Sequence, residues 1–75
     1  MRIDLRVKYL CGCEENVRLD VNLPPKLANA PRSEENDRSI IRYITDNYRV
    51  ENWSCSHRHP SGTMRGFNRI IEILN

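Results

Sequence analysis

Five side chains in this sequence belong to types that bind soft metal ions, and they fall in two short stretches. Cys11-Gly12-Cys13 and Cys55-Ser56-His57-Arg58-His59 contain every cysteine and every histidine of the chain. Thiolate sulfur and imidazole nitrogen are the donors of structural zinc, which takes four of them in a tetrahedron. The pairing of ligands predicts one structural zinc ion held by Cys11, Cys13, Cys55 and His57, with His59 as the alternative fourth ligand. One residue between ligands is a shorter spacing than that of the commonest knuckles. It still serves, because alternate residues at a strand end point to the same side. Gly12 is expected to let the backbone turn tightly and to leave space beside the metal.

Two other readings of the cysteines stay open. Free cysteine is often buried as a small hydrophobe, and a CxC pair can act in thiol–disulfide exchange. A catalytic zinc usually keeps one position open for water, whereas here at least four protein ligands are available. No general base stands out beside them, since Glu14 and Glu15 read as solvated turn residues, and Ser61 has nothing to activate it. No catalytic residue is therefore assigned. The metal is assigned to folding, because in a domain this small its binding free energy is folding free energy.

The elements that must position these ligands follow from periodicity. Ile3, Leu5, Val7 and Tyr9 alternate with charged residues, and Val17, Leu19, Val21 and Leu23 alternate with Arg18, Asp20 and Asn22. That is the period-2 pattern of half-buried strands, and the two runs with their short turn predict an antiparallel hairpin over 2–23. Residues 24–32 contain Pro24, Pro25 and Pro31 and read as a loop. Ser33 is an expected N-cap, Glu34 and Glu35 suit the positive end of a helix dipole, and Ile40, Ile41, Ile44 and Tyr48 recur at helical spacing. A helix is predicted over 33–48. A second hairpin is expected over 50–74, with a strand through Val50–Cys55 carrying Trp53 and another through Met64–Leu74. The last segment also fits a helical face, but Gly66 and its isoleucines favour a strand. The fold class is thus α+β, a zinc-stapled ββαββ domain with one helix packed on the sheet.

Tyr9-Leu10-Cys11-Gly12-Cys13 followed by Val17 resembles the zinc-knuckle hairpins of small zinc-ribbon proteins. The resemblance covers a quarter of the chain and implies no particular function.

With 75 residues the sequence is expected to form one domain with a marginal core, for which a staple is expected. Lys and Arg number 12 against 10 Asp and Glu, far from the basic excess of most nucleic-acid-binding domains. The charge is uneven, however. Residues 1–37 carry six basic and seven acidic groups, while residues 38–75 carry six arginines and three acids. Arg58, Arg65 and Arg69 surround the second turn, and Arg42 sits with Arg38 on one side of the helix. These four, Arg42, Arg58, Arg65 and Arg69, are the candidate binding residues for phosphate or for an acidic partner. Trp53 is expected to pack over the core or the metal, and Tyr43 to flank the helical stripe.

The alternating start of the chain lacks the continuous apolar stretch of a signal peptide, and no run is long enough to span a membrane. An odd number of cysteines argues against a disulfide framework and for the cytoplasm, where thiols stay reduced. A protein-interaction adaptor or inhibitor is the leading expectation, and small Cys-rich chains of this kind are common among phage and other mobile-element products. The sheet edges expected at Arg2–Lys8 or Met64–Leu74 suit a partner strand or a second copy of the chain. Nucleic-acid binding through the Arg-rich half, or a metal- or thiol-dependent enzyme, are the alternatives.

Overall fold

The computed structural model describes all residues from Met1 to Asn75. Strands β1 (Arg2–Tyr9) and β2 (Glu14–Asp20) form the expected hairpin, with Leu5 opposite Val17 and Val7 opposite Glu15. β1 buries Ile3, Leu5, Val7 and Tyr9 on one face. Its other face carries cross-strand polar pairs. Arg18 Nε donates to Asp4 Oδ1 at 2.8 Å, and Arg6 donates to Glu14 Oε1 at 3.1 Å and to Asn16 Oδ1 at 2.9 Å. Alternation of apolar and charged residues along β1 is therefore the direct cause of a sheet with one dry and one wet face.

The prolines of 24–32 do not prevent helix. Pro24 caps and Pro25 opens a single helical turn, α1 (Pro25–Ala28), because the fixed φ and missing N–H of proline cost nothing in a first turn. The long helix α2 (Glu34–Asn47) begins where the sequence places it: Ser33 Oγ accepts the Asn36 N–H at 3.1 Å. Ile40 and Ile44 are buried against the sheet, Ile41 is only half-buried, and Tyr43 stacks edge-on with Tyr48. Tyr48 ends the helix, and its hydroxyl accepts the Asn22 N–H at 2.7 Å, tying the helix to the far end of the hairpin.

The second hairpin is where the architecture departs from ββαββ. Val50–Asn52 is a turn of 3-10 helix, not a strand, and pairing of this segment shrinks to one bridge between Ser54 and Gly66. The burial pattern explains it. Val50 and Cys55 are both buried yet five positions apart, and a regular strand would turn them to opposite faces. The C-terminal segment is a strand, β3 (Phe67–Ile73), but it pairs antiparallel with β1. The sheet is thus three-stranded in the order β2-β1-β3. Arg2–Lys8, expected as a possible edge, is the central strand, and the edges are β2 and β3. Register shifts opposite Arg6/Val7 and Lys8/Tyr9 let Phe67, Ile70 and Ile73 face the core side despite their three-residue spacing.

Ten residues are buried, and none is polar or charged apart from the thiol of Cys55. Trp53 and Phe67 pack edge-to-face beside this core, with ring centroids 6.0 Å apart. No helix is long and apolar enough to cross a membrane.

Candidate metal centre

The first half of the centre is the β1–β2 turn. The Gly12 N–H donates to Tyr9 O at 2.9 Å, and the Tyr9 N–H donates to Cys13 O at 2.9 Å. This closes a three-residue loop, Leu10-Cys11-Gly12, of the kind that ends in a left-handed residue. Gly12 has φ of 92°, which is why glycine stands there. A Cβ at Gly12 would meet nothing within 4 Å, so the requirement is backbone conformation and not the expected space beside a metal.

The second half hangs from the Ser54–Gly66 bridge. The Cys55 N–H donates to Arg65 O at 2.9 Å, which fixes the buried thiol at the base of the loop 56–64. Within that loop the Thr63 N–H donates to Pro60 O at 3.1 Å, and Gly62 takes φ of 89°. This turn sends the chain back and brings the preceding His59 inward. A hydrogen bond of 2.8 Å from the Leu10 N–H to Gly66 O joins the two halves.

One ligand atom each from Cys11, Cys13, Cys55 and His59 then lies within 4.8 Å of all the others. His59 Nε2 is 3.5 Å from Cys13 Sγ and 3.4 Å from Cys55 Sγ. Metal–sulfur bonds of about 2.3 Å and metal–nitrogen bonds of about 2.0 Å in a tetrahedron give sulfur–nitrogen edges of about 3.5 Å. These separations therefore match the edges of a coordination tetrahedron. All three cysteines are free thiols.

The fourth member of the cluster is thus His59, the alternative ligand, in place of His57. The backbone N–H of His57 points to Cys55 Sγ at 3.4 Å, and its ring turns toward Glu15 and away from Cys11 and Cys13. Its ring is exposed on the other side of the sulfur, with Nδ1 3.3 Å from Cys55 Sγ and 3.2 Å from Glu15 Oε2. The four candidate binding arginines, Arg42, Arg58, Arg65 and Arg69, stand outside the cluster. All are exposed and none forms an ion pair.

Glu15, read from the sequence as a solvated turn residue, lies instead within β2 and is half-buried. Alternation along β2 places it on the core side, opposite Val7, in line with Val17 and Leu19. Its Oε2 accepts the Ser56 N–H at 3.1 Å and the Ser56 hydroxyl at 3.0 Å. The amide of Ser56 is the main reason its carboxyl titrates below the usual value. The signal was present in the period-2 pattern, where Glu15 occupies a position otherwise filled by Val and Leu.

Burial pushes the Cys55 thiol up to about 12, and the neighbouring Cys11 and Cys13 thiols add to the rise. Burial also raises Cys13, again helped by Cys11. Cys11 is lowered: burial opposes ionisation there, but hydrogen bonds from the Cys13 amide and from the thiols of Cys55 and Cys13 outweigh it. All three sulfurs could ionise this close together only around a cation. Three thiols and an imidazole are a donor set that fits such an ion.

A cavity of about 160 Å³ lies at the opposite end of the sheet, lined among others by Met1, Leu23, Leu27, Ile40 and Ile73. It shares no residue with the cluster. Compared with known proteins, the chain matches no family model, no curated protein and no solved structure.

Proposed function

We propose that one zinc ion bound by Cys11, Cys13, Cys55 and His59 staples the β1–β2 turn to the loop 56–64, and that the stapled end binds a protein partner. Four protein donors complete a tetrahedron, which is the form of a structural site and leaves no position for substrate. Zinc suits a set of three thiolates and one imidazole better than harder cations do. The role is adaptor or inhibitor, with no catalysis.

The observation that carries the binding role is the composition of the two ligand-bearing turns. Each presents a large apolar side chain to solvent: Leu10 is 50% exposed and Met64 is 70% exposed. Arg58 lies in the same loop as Met64, Arg65 follows it directly, and both are exposed. Exposed apolar side chains together with arginine are the make-up of an interface centre, and the charge favours an acidic partner. The experiment is affinity capture from cells of the source organism, using the wild type and a Leu10→Asp/Met64→Asp double variant. A protein retained by the wild type and lost by the double variant supports the reading. Equal retention by both, or none by either, removes it.

The unpaired state of Arg42, Arg58, Arg65 and Arg69 favours nucleic-acid binding as the second reading. Its signature is affinity for DNA or RNA that falls steeply with salt, with the slope reduced when Arg65 and Arg69 become Ala.

A further inference from the structure

We propose that Cys55 Sγ bridges two metal ions, the second held by Cys55 Sγ, His57 Nδ1 and Glu15 Oε2 with water in the remaining position. The proposal rests on the zinc site above, because the two ions share Cys55.

Glu15, Cys55 and His57 form their own compact group, distinct from the first except for the shared sulfur. Its three edges are 3.3 Å from Cys55 Sγ to His57 Nδ1, 3.2 Å from His57 Nδ1 to Glu15 Oε2, and 3.6 Å from Glu15 Oε2 to Cys55 Sγ. Tetrahedral bonds of about 2.3 Å to sulfur and about 2.0–2.2 Å to nitrogen and oxygen require edges of about 3.3–3.6 Å. The three atoms thus form one face of a tetrahedron of the right size.

The supporting shell is also that of a ligand. Metal-binding carboxylates are held by hydrogen bonds of their own. Glu15 Oε2 receives two, from the Ser56 N–H at 3.1 Å and the Ser56 hydroxyl at 3.0 Å. The backbone of His57 is fixed by its N–H, which meets Cys55 Sγ at 3.4 Å. Its side chain is 58% exposed, so the open vertex of the tetrahedron faces water.

Charge points the same way. One divalent ion with three thiolates leaves a net negative charge, and the Glu15 carboxylate adds a second beside it. A second divalent ion makes the assembly of three thiolates, one carboxylate and two neutral imidazoles electrically neutral. The ligand class is a borderline divalent cation, Zn²⁺ or Co²⁺, since the face combines sulfur, nitrogen and oxygen. With three protein ligands and an exposed histidine, the second ion binds more weakly than the first.

The test is an anaerobic Co²⁺ titration of the metal-free protein, followed by its visible spectrum, by magnetic susceptibility and by native mass spectrometry. The expected result is two equivalents, with a fall in magnetic moment per ion as the second binds, since the shared sulfur couples the two. His57→Ala and Glu15→Gln keep the first equivalent. They weaken the second by more than the roughly 10–100-fold that changes outside the ligand shell cost. Saturation of the wild type at one equivalent overturns the bridge and leaves the single-zinc reading standing. Two equivalents retained in His57→Ala also overturn it. No metal uptake at all overturns both readings together.

Discussion

The Glu15 carboxylate accepts both the backbone N–H and the hydroxyl of Ser56, a residue 41 positions further along the chain. This contact joins the start of β2 to the residue following Cys55, so it sets where the second ligand-bearing loop begins. Replacing Glu15 with Gln keeps the shape and removes the charge that two donors converge on. The expected outcome is an unchanged far-ultraviolet spectrum, faster hydrogen exchange at the Ser56 amide, and affinity for the first zinc weakened by about tenfold. Chelator competition and exchange measured by NMR read the two effects separately.

The two histidines differ in what their loss does to the first ion. His59 Nε2 is within 3.5 Å of two cysteine sulfurs, whereas His57 Nδ1 approaches only Cys55. His59→Ala removes a ligand and lowers first-site affinity by more than a hundredfold, beyond what changes outside the ligand shell cost. It also lowers the melting temperature. His57→Ala leaves first-site affinity within about tenfold of the wild type. The reverse ranking would reassign the fourth ligand to His57. Because so little apolar surface is buried, metal removal by a chelator is expected to abolish cooperative melting in the wild type.

The parts of this structure that were legible in the sequence are those governed by local periodicity. Alternation at Ile3–Tyr9 and Val17–Leu23, the cap at Ser33 and the helical spacing of Ile40 and Ile44 each depend on neighbours in the chain. Strand partnership does not. Nothing local says that β3 pairs with β1 instead of residues 50–55, and the bulges that fit Phe67, Ile70 and Ile73 to one face become visible only once that partner is known. The same limit separated His57 from His59. Proximity in sequence favoured the first, while the Pro60–Thr63 turn, a feature of the folded loop, brings in the second.

Gly12 and Gly66 make a matched pair for separating backbone strain from crowding. Gly12 has φ of 92° and open space around its missing Cβ, whereas Gly66 has no such φ and would meet Leu10 Cδ1 at 3.6 Å, an ordinary contact. Gly12→Ala forces a side chain into the left-handed region and is expected to cost about 1 kcal/mol or more. Gly66→Ala is expected to fall within about 0.5 kcal/mol of the wild type. Denaturant midpoints of the zinc-loaded proteins give both values. Equal losses would mean that the turn at Gly12 is not held in its left-handed conformation.

Zinc uptake should carry a proton signature set by the three thiols. In the folded chain burial holds Cys13 above the ordinary thiol value and Cys55 at about 12, and in an unfolded chain free thiols titrate at about 8.5, so both are protonated near neutral pH before metal binds. Cys11 is shifted the other way, below the ordinary thiol value. Metal needs all three as thiolates, so the bound state carries fewer protons than the free state. By linkage, affinity then rises with pH and falls as pH drops, the slope being the number of protons displaced. Cys13 and Cys55 together give about two decades in affinity per pH unit around neutrality, and Cys11 adds at most about one more. Calorimetric titration in buffers of different ionisation heat counts the protons directly. Two or more released per zinc agrees with three coordinating thiolates. Release of fewer than two would mean that Cys13 or Cys55 stays protonated and outside the coordination shell.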